Sequence, residues 1–196
     1  YIDLGFNVTT LNNEITFLPE AIVAGTKRRE EGRDFGEYYI YGWAGVDPAD
    51  GFPMWYEYYD DLNNNDIFDA GEEIETGSLE VHKFRNPDSN NFKKRVTKDY
   101  AVATEKWADK SAIPDLQGAF RLQGNIHNFT YGIQFTYQFG GYAYDNNYRE
   151  FFERGFATAS GTLHADIRDR WQQPGDITNV PLLGNGSVPN DVGQSD

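Results

Sequence analysis

The eleven residues of the segment 129–139 alternate large apolar side chains with small or polar ones without a break. Successive side chains of a β-strand point to opposite sides, so this pattern predicts a strand with one apolar and one polar face. The same alternation runs through residues 1–10 and 116–124, and we predict strands near 1–18, 115–125 and 129–139. About 9–11 residues is also the length that a tilted strand needs to cross a membrane. The apolar faces therefore meet either a protein core or lipid.

The polar faces of these strands carry side chains that must contact water, including Asp3, Arg121 and Gln134. In a soluble antiparallel sandwich the polar face is the exterior. In an outer-membrane barrel the polar face lines a wet lumen and the apolar face contacts lipid. Alternation by itself leaves both interpretations open.

The spacing of the predicted strands is very uneven. Residues 125–128 form a tight turn between the second and third strands, with asparagine where a positive φ is tolerated. Long polar segments at 20–113 and 141–196 follow the first and third strands. Outer-membrane barrels have short turns at one end and long extracellular loops at the other, whereas compact soluble domains seldom contain structureless loops above about 12–15 residues. The expected fold class is all-β; the spacing is typical of a barrel segment with long extracellular loops, and the sandwich interpretation stays open beside it.

Composition narrows the range of functions. The chain has 196 residues, enough for one all-β domain, and its net charge of −14 argues against a nucleic-acid partner, which would require a basic surface. Aromatic residues make up 16% of the chain, and there is no cysteine. No apolar run approaches the length of about 18 residues that a transmembrane helix needs. Because the sequence has no signal peptide and no initial methionine, we expect a mature protein or a fragment.

The second long segment also contains helical patterns. We predict short surface helices at 146–154 and at 162–171, where the second pattern places three apolar residues four positions apart. The tail from Gly184 is rich in turn-forming residues and is predicted to be irregular.

Five segments resemble the SusC/RagA family of TonB-linked outer-membrane transporters, in the part of those proteins towards the C-terminal end of the barrel. Each segment is weakly specific alone, but their order and spacing match the family over nearly the whole chain. The segments are Tyr-Gly-Trp-Ala-Gly-Val-Asp-Pro at 41–48, Lys-Ser-Ala-Ile-Pro-Asp-Leu-Gln-Gly at 110–118, the run 169–181 around Arg170-Trp171-Gln172, Leu11–Leu18, and Tyr137–Tyr142.

The resemblance implies a 22-stranded antiparallel transmembrane barrel in the outer membrane that imports glycans or peptides with energy from TonB. It also implies a SusD-like surface lipoprotein over the extracellular loops, with 20–60 and 142–183 as its expected contacts. The plug domain of the family is expected to be absent from residues 1–196, and the missing strands of the barrel would pair with the open strand edges. The alternative interpretation is a secreted, calcium-stabilised β-sandwich that acts as a carbohydrate-binding or adhesion module.

Residues 61–72 follow the twelve-residue calcium-loop pattern, in which oxygen ligands at alternating positions surround one Ca²⁺ and a final glutamate binds it through both oxygens. The candidate ligands, at positions 1, 3, 5, 7, 9 and 12 of the pattern, are Asp61, Asn63, Asn65, the Ile67 carbonyl, Asp69 and Glu72.

The loop departs from the calcium pattern at Asp66, where glycine usually makes the sharp turn, although aspartate tolerates the left-handed conformation better than most residues. The segment 57–75 contains eight carboxylates and no lysine or arginine, so the carboxylates repel one another unless a cation is bound. The alternative is a solvated acidic loop without an ion. The preceding residues 55–59 look extended, which argues against the flanking helix of an EF-hand.

Other chemistry is sparse, and we expect no enzyme activity. The three histidines, His82, His127 and His164, are far apart in the sequence, and no thiol nucleophile is present. Aromatic residues between positions 38 and 59 either have a structural role, in the loop core or in the aromatic girdle at the membrane surface, or stack on sugars, and we favour the structural role.

Overall fold

The computed structural model describes residues 1–148 and 164–182. The strands are β1 (Ile2–Thr10), β2 (Ile22–Ala24), β3 (Lys27–Arg29), β4 (Glu37–Tyr41), β5 (Trp43–Val46), β6 (Pro53–Asp60), β7 (Phe92–Thr97), β8 (Glu105–Ser111), β9 (Leu116–Ile126) and β10 (Phe129–Phe139). The helical elements are α1 (Leu79–Arg85) and the 3-10 helices Tyr100–Val102 and Ala165–Asp169. The strands form three small antiparallel sheets in the orders β1-β9-β10, β2-β3-β4-β8 and β5-β6-β7, and none of these sheets closes into a barrel within the described residues.

The chain divides into two compact units. The first comprises residues 1–39 and 107–143, and the second comprises residues 40–106 and the described residues from 144 onward. The three strands predicted from the alternation, β1, β9 and β10, all belong to the first unit.

The sheet β1-β9-β10 has an unbroken antiparallel register. Phe6 lies opposite Phe120, which lies opposite Phe135, so one face carries a row of phenylalanines across all three strands. Ile126 pairs with Phe129, which leaves a two-residue turn at 127–128. The positive φ of this turn, 54°, falls on His127 and not on an asparagine as the sequence predicted.

The apolar face of this sheet is exposed. Leu4, Phe6 and Phe135 have relative exposures of 65%, 71% and 61%. A sandwich buries the apolar face of each of its sheets, so this exposure counts against the sandwich interpretation.

Two glycines of β9 make room for tyrosine rings on the apolar face of this sheet. A Cβ on Gly118 would lie 2.4 Å from the Tyr137 hydroxyl oxygen, and one on Gly124 would lie 2.6 Å from the hydroxyl oxygen of Tyr131. The Tyr137 hydroxyl donates to the backbone oxygen of Asn7 across the sheet, at 2.9 Å. The phenol ends of both rings therefore lie over glycines of the central strand, an arrangement that covers glycine in sheets.

The rest of the first unit has an aromatic and cationic core. Tyr39 is 1% exposed, and its ring meets the ring of Trp107 edge-on with centroids 5.2 Å apart. The Arg33 guanidinium lies 4.4 Å from the Trp107 ring centre, and the Arg28 guanidinium lies 5.4 Å from that of Tyr39. Burial raises the pKa of the Glu37 carboxyl, which the positive charge of Arg33 partly opposes.

The second unit is built around Trp55, which is fully buried on β6. Its ring meets Trp43 of β5 and Tyr100 edge-on, at centroid distances of 5.9 and 5.2 Å. The Trp171 indole also packs in this unit, where its Nε1–H donates to the backbone oxygen of Pro48 at 3.0 Å. A Cβ on Gly51 would come within 2.5 Å of the Trp171 ring, and Gly51 has a φ of 75°, so this turn requires glycine.

Several sequence predictions need correction. The segment 20–113 was expected to be a long loop, but it contains seven strands and α1, because its aromatic residues bury one another. Residues 11–18 do not extend β1. Residues 146–148 are helical, and the remainder of the predicted helix 146–154 lies outside the described residues.

The predicted helix 162–171 is instead the short 3-10 helix Ala165–Asp169 within the described part of that range. The predicted irregular tail from Gly184 lies outside the described residues. None of the helices in the described part of the chain has the length and apolarity that a membrane crossing requires.

Candidate functional site

The predicted calcium loop lies between β6 and α1, and backbone hydrogen bonds hold both of its ends. The Asp61 N–H donates to the Asn91 carbonyl, and the Asp60 N–H donates to the Glu72 carbonyl, both at 3.0 Å. The first and last candidate ligands are therefore attached to the sheet β5-β6-β7. The preceding residues are extended, as the sequence predicted, since β6 runs to Asp60.

The carboxylates of these two end residues are buried and surrounded by N–H donors. Asp61 is 1% exposed and accepts from the backbone N–H groups of Asn65 and Asp66, each at 3.0 Å. Glu72 is 4% exposed and accepts from the backbone N–H groups of Leu62 and Asp69, at 3.1 and 3.0 Å. Both buried carboxylates therefore have N–H partners for their oxygens, as buried polar groups in folded proteins usually do.

The central ligands form a second, exposed layer. The side-chain amides of Asn63 and Asn65 each donate to Asp69 Oδ2 at 2.8 Å. These hydrogen bonds, from Asn63 first and Asn65 second, lower the pKa of the Asp69 carboxyl below its ordinary value. Ile67, whose carbonyl is the fourth candidate ligand along the chain, donates its N–H to the Asn65 side-chain oxygen at 2.7 Å.

The backbone of the loop has the turn that the pattern requires. Asp66 has a φ of 58° at the position where glycine is usual, and Asn64 has a φ of 59°. Asparagine and aspartate enter this left-handed region more readily than other non-glycine residues. The departure at Asp66 is therefore compatible with the geometry of a calcium loop.

The ligand chemistry depends on amide and carbonyl oxygens as well as carboxylates. In the described part of the chain, no group of three histidine, cysteine, aspartate or glutamate side chains is arranged to hold a metal ion. The candidate set has three carboxylates, two amides and one backbone carbonyl, and Ca²⁺ accepts all three kinds of oxygen. The residue types fit a single Ca²⁺ only if both asparagines take part.

The carboxylates around the loop are less isolated than the sequence indicated. The Lys93 ammonium pairs with Asp66, and the Arg95 guanidinium pairs with Glu57 at 2.8 Å. The same guanidinium lies 3.5 Å from the ring centre of Phe68, a loop residue. The repulsion among these carboxylates is therefore partly compensated by the cations of β7, which the sequence of the loop alone did not show.

Sequence reasoning missed the three residues of the β7 region that hold this loop. Asn91 donates from its side-chain amide to Asp61 Oδ2 at 3.1 Å and to the Asn64 side chain at 2.8 Å. All three residues, Asn91, Lys93 and Arg95, come about twenty positions after the end of the loop in the sequence. The basic run at 93–95 was the available signal, but only the pairing of β6 with β7 places it beside the acidic loop.

The histidines do not form a site. His82 Nε2 lies 3.2 Å from Asp60 Oδ2, His127 is in the β9–β10 turn, and His164 is beside Asp166. The prediction that loop aromatics pack together is confirmed for Tyr39 and Trp55, which are both buried.

Comparison with solved structures shows that this fold occurs as part of a much larger transporter. A structure of the RagAB peptide transporter matches 96% of this chain and 18% of that chain, with 22% identity and a TM-score of 0.63. The RagAB peptide importer in the "closed-closed" state matches 97% of this chain and 18% of that chain, with 22% identity and a TM-score of 0.65. The "open-open" state of the importer matches 96% of this chain and 17% of that chain, with 20% identity and a TM-score of 0.62.

The chain therefore spans about 18% of the length of the transporter chains that it matches. At this identity the likeness is one of fold, and at that level it agrees with the resemblance found in the sequence. No protein-family model matches the chain, and no curated protein sequence matches it either.

Proposed function

We propose that this chain forms part of the wall and extracellular portion of a TonB-dependent outer-membrane importer for glycans or oligopeptides. The observation that carries the proposal is the exposed apolar face of β1-β9-β10, made of strands of nine and eleven residues. Lipid is the solvent that such a face suits, since barrel strands present an apolar band of about this length to the bilayer. The fold likeness to part of the RagAB peptide importer supports the same assignment.

In this proposal the open edges of β1 and β10 pair with further strands, because unpaired backbone groups are costly in lipid. The polar face, with Asp3, Arg121 and Gln123, lines the lumen. A SusD-like surface lipoprotein covers the segments 20–60 and 142–183, and TonB acts through a plug. The chain contributes no catalytic step.

A labelling experiment tests where the two faces of β10 lie. The chain has no cysteine, so Phe135→Cys and Gln134→Cys each give one attachment point in it for a polarity-sensitive fluorophore. In the intact protein reconstituted into vesicles, we expect brominated lipid to quench the label at position 135 and to leave that at 134 nearly unchanged. Equal quenching at both positions, or none at 135, would contradict the lipid-facing assignment.

We also propose that the loop 61–72 binds one structural Ca²⁺ through Asp61, Asn63, Asn65, the Ile67 carbonyl, Asp69 and Glu72. The support is the ligand pattern, the left-handed backbone at Asp66, and the burial of the first and last carboxylates. The ion would add positive charge to a loop whose carboxylates are only partly paired with lysine and arginine. Extracellular modules bind Ca²⁺ at about 10⁻⁴–10⁻³ M, which suits a surface loop.

Calcium should slow proteolysis of this loop, because an ion that binds only the folded form stabilises it by about 1–2 kcal/mol at ten times its Kd. Glu72→Gln should remove this calcium dependence, and its single amide oxygen still accepts from one of the two N–H groups, of Leu62 and Asp69, that donate to the carboxylate. Asp88→Asn, at an exposed position outside the pattern, is the matched control and should retain the dependence. If a chelator leaves the cleavage rate of the unaltered protein unchanged, the loop is not a calcium site.

A further inference from the structure

The strand β7 presents three side chains to the loop 61–72 from one of its faces. Successive side chains of a strand point to opposite sides, so alternate residues share a face. The three that contact the loop are Asn91, just before the strand, Lys93 and Arg95. Arg95 pairs its charge with Glu57, which precedes the loop. Lys93 instead pairs with Asp66 inside the loop, with 2.5 Å between Nζ and Oδ1, and is therefore the cation that this face supplies to the loop.

The Lys93 ammonium also interacts with the charge of the first candidate calcium ligand. The hydrogen bond to Asp66, followed by the negative charges of Asp66 and Asp61, raises the pKa of this ammonium. Asp66 makes the left-handed turn of the loop, at a φ of 58°, and is not one of the candidate ligands. An ion bound by the loop would therefore leave the pair with Lys93 in place. The ammonium adds a lasting positive charge beside the ligands.

A positive charge beside a calcium loop acts in two opposite directions. Without an ion, it offsets the mutual repulsion of the carboxylates and so favours the folded loop. With an ion bound, it repels the divalent cation and so weakens binding. Both effects are electrostatic and act between exposed groups, so salt screens both of them.

We propose that Lys93 is the internal counter-ion of the loop 61–72 and sets its calcium affinity. It keeps the loop folded when calcium is scarce, and it lowers the affinity of the loop for the ion. The inference rests on the proposed function in one respect, that this loop is a calcium site. It also gives Asp66, which is outside the ligand set, the role of holding the ammonium in position.

The next residue of β7 provides a matched control. Lys94 points to the opposite face of the strand, where its Nζ lies 4.2 Å from the ring centre of Tyr56. Lys94→Gln therefore removes the same charge from the same strand and leaves the contact between Lys93 and the loop in place. The difference between Lys93→Gln and Lys94→Gln separates this contact from the net charge of the protein.

The test uses the intact protein in detergent micelles and follows the rate at which a protease cleaves the loop as calcium chloride is added. Lys93→Gln should be cleaved about threefold faster in chelator, because the ion-free loop has lost its counter-ion. Calcium should protect this variant with a midpoint about threefold lower than that of the unaltered protein, since the ion no longer meets a neighbouring ammonium. Lys94→Gln should change either quantity by less than about 1.5-fold.

Salt distinguishes this electrostatic role from a role in packing. The Debye length falls from about 30 Å at 0.01 M salt to about 3 Å at 1 M salt. The shift of the calcium midpoint in Lys93→Gln should therefore be about threefold at the lower salt concentration and less than about 1.5-fold at the higher one. A shift that salt leaves unchanged would show that Lys93 acts through packing, and would overturn the proposal.

A charge-restoring double variant guards against misfolding of Lys93→Gln. Asp66→Asn keeps a residue type that tolerates the positive φ at this turn, and it removes the negative charge that pairs with Lys93. Alone it should raise the calcium midpoint by about twofold. Together with Lys93→Gln it should return the midpoint to within about 1.5-fold of the unaltered protein, because the two charges cancel. A double variant that stays at the midpoint of Lys93→Gln would contradict the proposal.

The experiment also separates failure of this proposal from failure of the calcium site itself. If calcium protects the unaltered protein and Lys93→Gln with the same midpoint, the role of Lys93 is rejected and the calcium site is retained. If calcium does not protect the unaltered protein, the calcium site is rejected and the affinity-setting role of Lys93 with it.

Discussion

Phe135→Arg should destabilise the membrane-inserted protein by about 2–4 kcal/mol, which is the cost of a cation on the lipid face of a barrel near the bilayer midplane. Phe135 is close to the middle of β10, on the face that also carries Phe6 and Phe120, and it is 61% exposed. Denaturant unfolding from lipid vesicles measures the free energy directly. The size of the effect depends on the solvent that this face contacts.

Gln134→Arg is the matched control, since it places the same side chain one residue away on the opposite face. Gln134 lies opposite Arg121 in the register, and like charges across a sheet cost about 0.2–1 kcal/mol. The control should therefore lose less than about 1 kcal/mol. Equal losses at the two positions would show that β10 does not have one face in lipid.

Trp55→Ala should destabilise the second unit by about 3–5 kcal/mol, the usual cost of replacing a buried tryptophan by alanine. Trp55 is fully buried, and Trp43 and Tyr100 would both lose an edge-on ring partner. The loss combines the transfer free energy of the ring with that of the cavity that remains. Denaturant unfolding followed by near-ultraviolet circular dichroism measures it.

Val96→Ala is the control for this unit, because Val96 is on β7 of the same sheet and is 51% exposed. Surface substitutions of this kind usually change stability by no more than about 0.5 kcal/mol. A loss below about 1 kcal/mol for Trp55→Ala would mean that the aromatic cluster does not form the core of the unit.

The acidic loop 61–72 shows how far local sequence reasoning reaches. The pattern located the twelve residues and the left-handed turn at Asp66, because both depend on neighbours within the loop. It missed Asn91, Lys93 and Arg95, which come from a strand that pairs with β6. Their positions depend on which strands pair, and a local sequence pattern does not predict strand pairing.

The sequence by itself determined the faces of β1, β9 and β10, because side-chain alternation follows from strand geometry alone. Only the tertiary structure decided that the segment 20–113 is folded and not a loop. Most of its strands have three to six residues and their aromatic residues lack a clear period, so their burial depends on contacts between distant residues such as Trp55 and Tyr100. Periodicity reports which side chains share a face, and packing between remote segments decides what covers that face.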